Sequence, residues 1–379
     1  MKICFISNAN RSHYGVFTRP NFLAQGLTNL GHKVLHIRSY EGSGSFIKQF
    51  LHEEGLIKIS FYKKLKKLAN QIRIICIIFI FNPQIIYSHE TDNGIRSLNL
   101  KNIFVKAKYI YDAHTSIYYE CKHLENFDEN LLMKIKNVEG EVCKQSHHII
   151  TVSRETKQIL QDYYHIENDK IAIIKNATYI TPGTQTNKLE ASKLLKNYNL
   201  ECASLICLAV IPTVGFKTND LSLAFLYDVA ARVENFDHSI VFLVIGGGNK
   251  PAAKSDNVLL TGFVKDYIAH LELADICLAT FPVNAVCGGT RNKICDFFAL
   301  GKPIISTKEG MRGFDDALPG EHYVLADSID EFVSKILYYK NHKNKLNAFK
   351  HKALELSRDY QWDVRSKELN DLLLKLSDK

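Results

Sequence analysis

Short apolar runs that alternate with helical patterns are the feature that most constrains the fold of this chain. Runs of this kind are typical of a parallel sheet covered by helices on both faces. One series spans Lys2 to Ser7, Lys33 to Arg38, Gln84 to Tyr87, Tyr109 to Asp112, His148 to Val152 and Ile171 to Ile174. A second spans Ser204 to Val210, Ile240 to Ile245, Val258 to Thr261, Ile276 to Thr280 and Pro303 to Ser306. The two series predict two Rossmann-like α/β domains, joined by the polar stretch Tyr179 to Lys188.

Composition agrees with a folded protein of this size. The chain has 379 residues, of which 46% are hydrophobic and 23% charged, which excludes disorder, collagen and coiled coil and favours two domains. Its nine cysteines are odd in number and never spaced Cys-x-x-Cys, which argues against zinc ribbons and disulfide frameworks. The apolar run after Met1 is too short for a signal peptide. We therefore expect a cytoplasmic protein with free thiols.

A basic segment precedes the longest apolar stretch. No acidic residue lies between Glu54 and Glu90, and the bases there are Lys58, Lys63, Lys64, Lys66, Lys67 and Arg73. They lead into IRIICIIFIF, so residues 61–81 are predicted to form a basic amphipathic helix. Two interpretations stay open: the helix binds an anionic membrane surface, which would place the protein peripherally on the inner face of the cell membrane, or its apolar half is buried in the core. Nucleic acid is not expected as a partner, because the lysine cluster is local and no nucleic-acid module is present.

Two glycine-containing loops of the second series lie where ligands of parallel sheets bind, after the strands. One is Gly246 to Gly248. The other, CGGTRNKICDFFALGKP from Cys287 to Pro303, opens a helix that carries Arg291, Lys293 and Asp296. Free N–H groups at a helix start and two cations suit a diphosphate. A glycine-rich turn with surface bases is the alternative.

The sequence GGTRNKICDFFALGKPIISTKEGMRGF resembles the donor-site signature of the glycosyl transferases group 1 family, retaining enzymes of the GT-B fold. Further segments resemble the family in the same order along the chain: Tyr111 to Glu120, Ser146 to Thr156, Ile173 to Ala177, Lys217 to Asn219, Val241 to Gly248 and Asn257 to Val264. The resemblance implies two Rossmann-like domains facing a central cleft. Residues 1–180 would form the acceptor-side domain and residues 181–358 the nucleotide-sugar domain, with the helix in 359–379 crossing back to the first.

The resemblance also assigns site residues. Asp296 stands where the family has a Glu that hydrogen-bonds the ribose, and Gly288 stands where a Glu would contact the donor sugar. Lys217 matches a diphosphate-binding lysine, but the accompanying arginine position falls near Ile211, so Arg291 or Lys293 would supply the second cation. The expected donor-binding residues are Gly15, Lys217, Gly246, Val264, Gly288, Gly289, Thr290, Arg291, Lys293 and Asp296. The expected catalytic residues are His114, Lys217, Arg291 and Lys293, with a purely structural His114 as the alternative.

No metal site is expected. His13, His89, His147 and His148 lack the spacing of metal ligands, and we interpret them as loop or surface residues. The resemblance implies no cofactor besides the donor, expected to be a UDP-sugar.

The implied function is a metal-independent, retaining hexosyltransferase of cell-surface polysaccharide biosynthesis. It would transfer a sugar from a nucleotide-diphosphate donor to a polysaccharide or lipid-linked acceptor. Because the Glu and Arg are missing, two alternatives remain: a sugar-nucleotide-binding pseudoenzyme or assembly partner, and a GT-B sugar-nucleotide epimerase.

Overall fold

A computed structural model describes residues 1–8, 18–39, 72–124, 127–185, 188–212, 215–246 and 255–377. Gly15 and the lysines at 63–67 lie outside the described residues. The strands in the described ranges are β1 (Lys2–Asn8), β2 (Lys33–Ser39), β3 (Ile85–His89), β4 (Lys108–Ala113), β5 (His148–Thr151), β6 (Ile171–Ile173), β7 (Leu205–Ile211), β8 (Ile240–Gly246), β9 (Val258–Leu260), β10 (Ile276–Ala279), β11 (Ile304–Ser306) and β12 (Val324–Leu325).

Helices lie between most of these strands, whereas β11 and β12 are joined by turns. The helices are α1 (Thr18–Asn29), α2 (72–81), α3 (Thr91–Leu98), α4 (Ile117–Leu124), α5 (Glu129–Gln145), α6 (Arg154–Tyr164), α7 (Lys188–Asn197), α8 (Lys217–Glu234), α9 (Tyr267–Glu272), α10 (Lys293–Ala299), α11 (Ile329–Asn341), α12 (Leu346–Ser357) and α13 (Trp362–Ser377). Short 3₁₀ turns follow α6 at Asn168–Lys170 and α11 at Lys343–Lys345.

The chain forms two compact units, each built on one parallel sheet. The first unit comprises Met1–Lys122, Asn126–Asn176 and Trp362–Lys379, and the second comprises His123–Glu125 and Ala177–Gln361. The sheet orders are β2-β1-β3-β4-β5-β6 and β12-β11-β10-β7-β8-β9. Strands β3 and β7 are buried along their whole length, as expected when helices cover both faces of a sheet. The predicted two-domain α/β architecture is confirmed.

The last helix, α13, packs on α1 within the first unit. The Trp362 indole stacks on the Phe22 ring with centroids 5.6 Å apart. A Cβ at Gly26 would lie 2.0 Å from the Ser366 hydroxyl oxygen, so only glycine permits this close approach of the two helices. The C-terminal segment thereby covers an N-terminal helix far away in sequence.

A buried carboxylate organises the chain after β4. Glu139 on α5 accepts hydrogen bonds from the Ser116 hydroxyl at 2.9 Å and from the backbone N–H groups of Ile117 and Tyr118 at 2.9 and 3.1 Å. These N–H groups begin α4 and have no partner inside that helix. These hydrogen bonds to Glu139 therefore hold the loop between β4 and α4, which carries His114.

In each sheet, later strands are added on both sides of the first strand of that unit, so the strand order changes direction at one point. In the first unit this switch point lies between β1 and β3, and in the second between β7 and β10. In open α/β sheets the connections on the two sides of such a point run over opposite faces, and ligands bind there at the carboxyl ends of the strands.

Candidate functional site

Lys293 links the two strands of the second switch point. It is the first residue of α10, which follows β10, and its ammonium group donates a hydrogen bond to the backbone carbonyl of Val210 on β7. Burial, together with the nearby charge of Arg291, lowers the pKa of Lys293 to about 7. The side chain is therefore close to half protonated at neutral pH.

Arg291 lies beside Lys293 on the same aromatic ring. Its guanidinium carbon is 3.9 Å from the centroid of the Phe281 ring, and the Lys293 nitrogen is 4.9 Å from that centroid. Phe281 directly follows the exit of β10 and is buried. The electron-rich ring face attracts both cations and holds them together at this strand exit.

Glu309 partly neutralises this pair of cations. Its carboxylate lies 3.5 Å from the Arg291 guanidinium and 2.7 Å from that of Arg312, and it accepts a hydrogen bond from the Cys287 N–H at 3.2 Å. Arg291 also donates to the Ala285 carbonyl at 2.6 Å. The charge of Arg291 is thus partly balanced by a carboxylate, whereas the hydrogen-bond acceptor of Lys293 is an uncharged carbonyl.

The start of α8 lies at the exit of β7, on the same edge of the sheet. Lys217 is the first residue of this helix and its side chain is exposed. The neighbouring Thr218 hydroxyl is buried, and within the described part of the chain it has no hydrogen-bond partner. A buried hydroxyl without a partner costs free energy unless a ligand or water satisfies it.

Gly246 ends β8 in a conformation that other residues avoid. Its φ is 98°, and a Cβ there would lie 2.3 Å from the Ile211 carbonyl oxygen. It exchanges two backbone hydrogen bonds of 3.0 Å with Gly262. Gly246 therefore serves the close approach of the β7 and β8 exits.

Asp296 is occupied by protein partners. One carboxylate oxygen accepts from the Thr178 hydroxyl at 2.5 Å and the other from the Tyr267 hydroxyl at 3.0 Å. Burial raises the pKa of Asp296 to about 6, although both hydrogen bonds oppose the shift. Each oxygen retains a second lone pair, so a ribose hydroxyl can still be accepted.

The remaining expected donor residues are buried in two segments. Gly288, Gly289 and Thr290 line the loop that leads into α10, and Val264 lies after β9 beside the exposed ring of Phe263. The structure thus gathers Arg291 and Lys293 at one strand exit and places Lys217 at the start of the helix that follows the adjacent strand.

The first switch point rests on a buried ion pair. The Arg19 guanidinium donates to the Asp112 carboxylate at 2.8 Å, and the Tyr87 hydroxyl donates to the same oxygen at 2.6 Å. Burial alone would raise the pKa of Asp112, but the charge of Arg19 and the hydrogen bonds from Arg19 and Tyr87 outweigh it and lower the pKa. Asp112 therefore stays ionised beneath the strand ends.

Two imidazoles and a carboxyl group lie above this pair. His89 ends β3, His114 follows β4, and their ring centroids are 5.8 Å apart. Burial lowers the pKa of His89 to about 4 and that of His114 to about 3. Burial and the charge of Asp92 raise the pKa of Glu90 to about 8. At neutral pH both imidazoles are neutral and most Glu90 carboxyl groups are protonated.

The expectation that the remaining histidines lie in loops or on the surface was wrong for two of them. His89 is 1% exposed and His148 is buried within β5. His147 also has a structural role, since its ring accepts a hydrogen bond from the Tyr109 N–H at 2.9 Å. Glu90, Phe281 and Glu309 were also not among the residues that the sequence indicated. Position after a strand was a usable signal for Glu90 and Phe281, whereas nothing near Glu309 in sequence points to Arg291.

The described residues contain no group of three or more His, Cys, Asp and Glu side chains arranged to hold a metal ion. Nor does any helix in the described ranges have the length and apolar character needed to cross a bilayer.

Family models match both units of the chain. Residues 15–180 match the model described as Glycosyltransferase Family 4, and residues 210–341 match Glycosyl transferases group 1. Curated protein sequences give no match.

Several solved structures have a similar fold. A glycosyltransferase from Rickettsia africae has 18% identity and a TM-score of 0.70, over 98% of this chain and 97% of its own. HepE from Anabaena, in complex with UDP-glucose, has 14% identity and a TM-score of 0.73, over 99% and 100%. Sucrose-phosphate synthase from Thermosynechococcus elongatus has 13% identity and a TM-score of 0.72, over 99% and 98%.

Proposed function

Because the chain belongs to the glycosyl transferases group 1 family and is a glycosyltransferase of the GT-B fold, we propose that it transfers a hexose from a UDP-sugar. The hexose is transferred to a hydroxyl group of a polysaccharide or lipid-linked acceptor, with retention of configuration. The second unit holds the donor and the first unit holds the acceptor. The bond from the anomeric carbon to the diphosphate breaks, a bond to the acceptor oxygen forms, and the proton of the acceptor hydroxyl leaves with UDP.

The observation that carries this proposal is the pair of cations on Phe281 at the β7/β10 switch point. A departing diphosphate gains negative charge, and fixed cations that face it stabilise the transition state more than the ground state. Lys293 is the better placed of the two cations, because Glu309 already balances Arg291. A phosphate that approached Lys293 would favour its protonated form, and Lys217 and the Thr218 hydroxyl at the start of α8 would add further donors.

We infer that these side chains provide the positive charge at the leaving group without a metal ion. UDP is the proposed nucleotide because the similarly folded HepE was solved with UDP-glucose. Asp296 is proposed to accept a ribose hydroxyl through the lone pairs that Thr178 and Tyr267 leave open.

Calorimetric titration with UDP, UMP and uridine tests the donor site. We expect UDP to bind most tightly and uridine to bind too weakly to detect, since the cations recognise phosphate. A panel of UDP-sugars incubated with candidate glycan acceptors then separates the possible activities. Transferred sugar supports the proposal, binding without turnover indicates a pseudoenzyme, and an isomerised donor indicates an epimerase. Equal affinity for UDP and uridine would contradict the assignment of the cations.

The peripheral membrane role is also proposed, on the basis of exposed apolar side chains on α2 and in the 101–107 loop of the first unit. We call this set the α2 patch: Ile72, Phe79, Ile80, Ile103 and Val105, with Ile80 81% and Phe79 68% exposed. The Phe79 ring lies 6.5 Å from that of Phe104, which brings the 101–107 loop beside the helix. Arg73 and Lys106 are exposed in the same two segments. One side of α2 is nevertheless buried, since Ile78 is fully enclosed.

Apolar side chains flanked by bases suit the inner surface of a cell membrane with anionic lipids, where a lipid-linked acceptor would be found. Cosedimentation with phosphatidylcholine vesicles, with and without phosphatidylglycerol, tests this role. We expect binding only to the anionic vesicles and a loss of at least about tenfold for the double variant Phe79→Asp and Ile80→Asp, since each buried side chain contributes about 1.5–3 kcal/mol. Val283→Asp, at an equally exposed position of the second unit, is the control. Wild-type protein that ignores anionic vesicles at low salt would refute this role.

A further inference from the structure

Glu90 has a backbone conformation that residues with a side chain rarely adopt. Its φ is 67° and its ψ is 160°, a region populated almost only by glycine. Such a conformation costs of order 1–3 kcal/mol and persists only where the surroundings enforce it. Here the enforcing contacts are its N–H, which donates to the Asp112 carbonyl at 3.0 Å, and its carbonyl, which accepts from the Gly94 N–H at 2.9 Å. A glycine would adopt this conformation without strain, so the glutamate side chain is present at a cost in stability.

The turn lies at the first switch point. Glu90 follows the last residue of β3 and precedes α3, so the strained bend turns a central strand directly into a helix. The Asn8 amide, at the end of β1, donates to the Glu90 carboxyl at 3.3 Å. This hydrogen bond spans the two strands between which an open sheet of this order binds ligands. The Glu90 side chain is partly exposed and can be reached from solvent.

Two buried groups beside Glu90 have unsatisfied hydrogen-bonding capacity. His89 Nε2 and His114 Nδ1 are buried, and neither has a hydrogen-bond partner within the described residues. His89 Nε2 is 3.9 Å from the Asp112 carboxylate, which is beyond hydrogen-bond distance. Nitrogens buried without partners are rare in folded proteins and indicate a site that a ligand or water completes.

The electrostatics of the cluster select the class of ligand. Asp92, Glu120 and Asp112 all act on Glu90 in the direction that disfavours a carboxylate. An anionic ligand beside Glu90 would meet the same repulsion, although the Arg19 charge acts in the opposite sense on His89 and His114. A neutral hydroxyl group needs no countercharge at either place, and it can donate to an imidazole nitrogen and exchange hydrogen bonds with a carboxyl group. A ligand rich in uncharged hydroxyl groups therefore fits this place.

We propose that Glu90 binds a hydroxyl group of the acceptor sugar, with His89 and His114 as neutral hydrogen-bonding partners beside it. This inference rests on the proposed function and assigns the acceptor side of the reaction to the β1/β3 switch point. The strained turn is retained because it presents the carboxyl group at the end of the central strand. Asp112 and Arg19 form a buried ion pair beside these groups, and within the described residues Asp112 Oδ1 and Arg19 Nη2 also have no hydrogen-bond partner.

Saturation-transfer NMR with the methyl glycosides of glucose, galactose and N-acetylglucosamine tests the proposal. Wild-type protein should bind at least one glycoside, and Glu90→Gly and Glu90→Ala should weaken that binding about tenfold, the effect of one or two hydrogen bonds. Glu90→Gln should remain within about threefold, because an amide replaces a protonated carboxyl group closely. Glu90→Gly should also raise the thermal midpoint, since it relieves the strain.

A matched control distinguishes strain from binding. His165→Gly relieves a positive φ of 56° at the end of α6 in the same unit, and it should leave glycoside binding unchanged. Undiminished glycoside binding by Glu90→Gly and Glu90→Ala, or no binding of any glycoside by the wild type, would overturn the proposal. Calorimetry with UDP on the same samples keeps the two proposals apart. If the wild type does not bind UDP, the result counts against the proposed donor site alone. If the wild type binds a glycoside and the Glu90→Gly and Glu90→Ala variants do not, the result supports the proposed role of Glu90.

Discussion

At the β1/β3 exit of the first unit lie Glu90 and two imidazoles, whereas at the β7/β10 exit of the second lie Arg291 and Lys293 on the face of Phe281. Burial drives the titratable groups of both exits toward their neutral forms: it lowers the pKa of His89, His114 and Lys293 and raises that of Glu90. The same physical cause therefore acts on both. The two exits differ in the kind of ligand that would stabilise their buried groups.

An anion near Lys293 would restore the charge that burial disfavours, since the surrounding groups are a carbonyl, an aromatic ring and a second cation. An anion near Glu90 would instead meet Asp92 and Asp112. Under the two proposals, two sheets of similar construction would bind different ligands, a charged leaving group and an uncharged hydroxyl, because different residues occupy their strand exits.

The largest effect is expected from breaking the buried ion pair of the first unit. Arg19→Met leaves the Asp112 carboxylate buried without its cation, which should cost about 3–5 kcal/mol of unfolding free energy in urea. The substitution should also raise the pKa of His114 and His89, because the Arg19 charge lowers both, and NMR titration of the imidazoles measures this. Arg154→Met, at an exposed position of the same unit, is the control. A variant as stable as the wild type would show that the pair does not support this exit.

The second effect concerns Lys293. Lys293→Met should lower turnover about a hundredfold, as expected for one electrostatic group in the transition state. In the wild type, affinity for UDP should fall above pH 7 by at most about tenfold per pH unit, because the free protein must take up a proton to bind the diphosphate. Calorimetry across pH measures this slope, and Lys293→Met should abolish it.

Lys302→Met is the matched control for Lys293. Lys302 is also a lysine whose pKa burial lowers, but it donates to the carbonyls of Glu272 and Ala274, just ahead of β10 at the opposite end of the strands. Its variant should keep both the affinity for UDP and its pH dependence. A pH slope that survives in Lys293→Met would assign the proton to another group.

The smallest effect should come from Asp296. Its folded pKa of about 6 lies above its ordinary value, so the stability it contributes is complete below pH 4 and is lost as the pH rises through 6. Asp296→Asn should remove this loss, of order 1–3 kcal/mol, from urea unfolding measured against pH. Asp296→Ala should weaken UDP binding by roughly 1.5–3 kcal/mol if the carboxylate also holds ribose. Unchanged binding in a folded variant would leave Asp296 with a structural role only.

Most of the strands and the helix α10 were predictable from sequence because their signals are local, whereas the two-residue strand β12 was not predicted. Leu205–Ile211 is apolar throughout, and the residues around Lys293 form a continuous signature. The placement of Asp296 was not predictable in the same way. Its partner Thr178 lies 118 residues away, and only the folded unit brings the two together.

The conformation of Glu90 could not be predicted from the sequence, for a second reason. The sequence around Glu90 does not signal a glycine conformation, because one of the two contacts that enforce it is made to the Asp112 carbonyl on the adjacent strand. His89 was wrongly interpreted as a surface residue because a single polar position at a strand end is equally compatible with burial. Only the register of β3 beside β4 decides between these possibilities.

Hydrogen–deuterium exchange with and without UDP tests the central claim most directly, that the two switch points hold different ligands. UDP should slow amide exchange at the start of α8, residues 215–222, and in the segment 287–296, which includes the start of α10. Lys293→Met should reduce this protection, and Lys302→Met should not. Protection centred instead on residues 89–93 of the first unit, with none at α8 or α10, would contradict the claim.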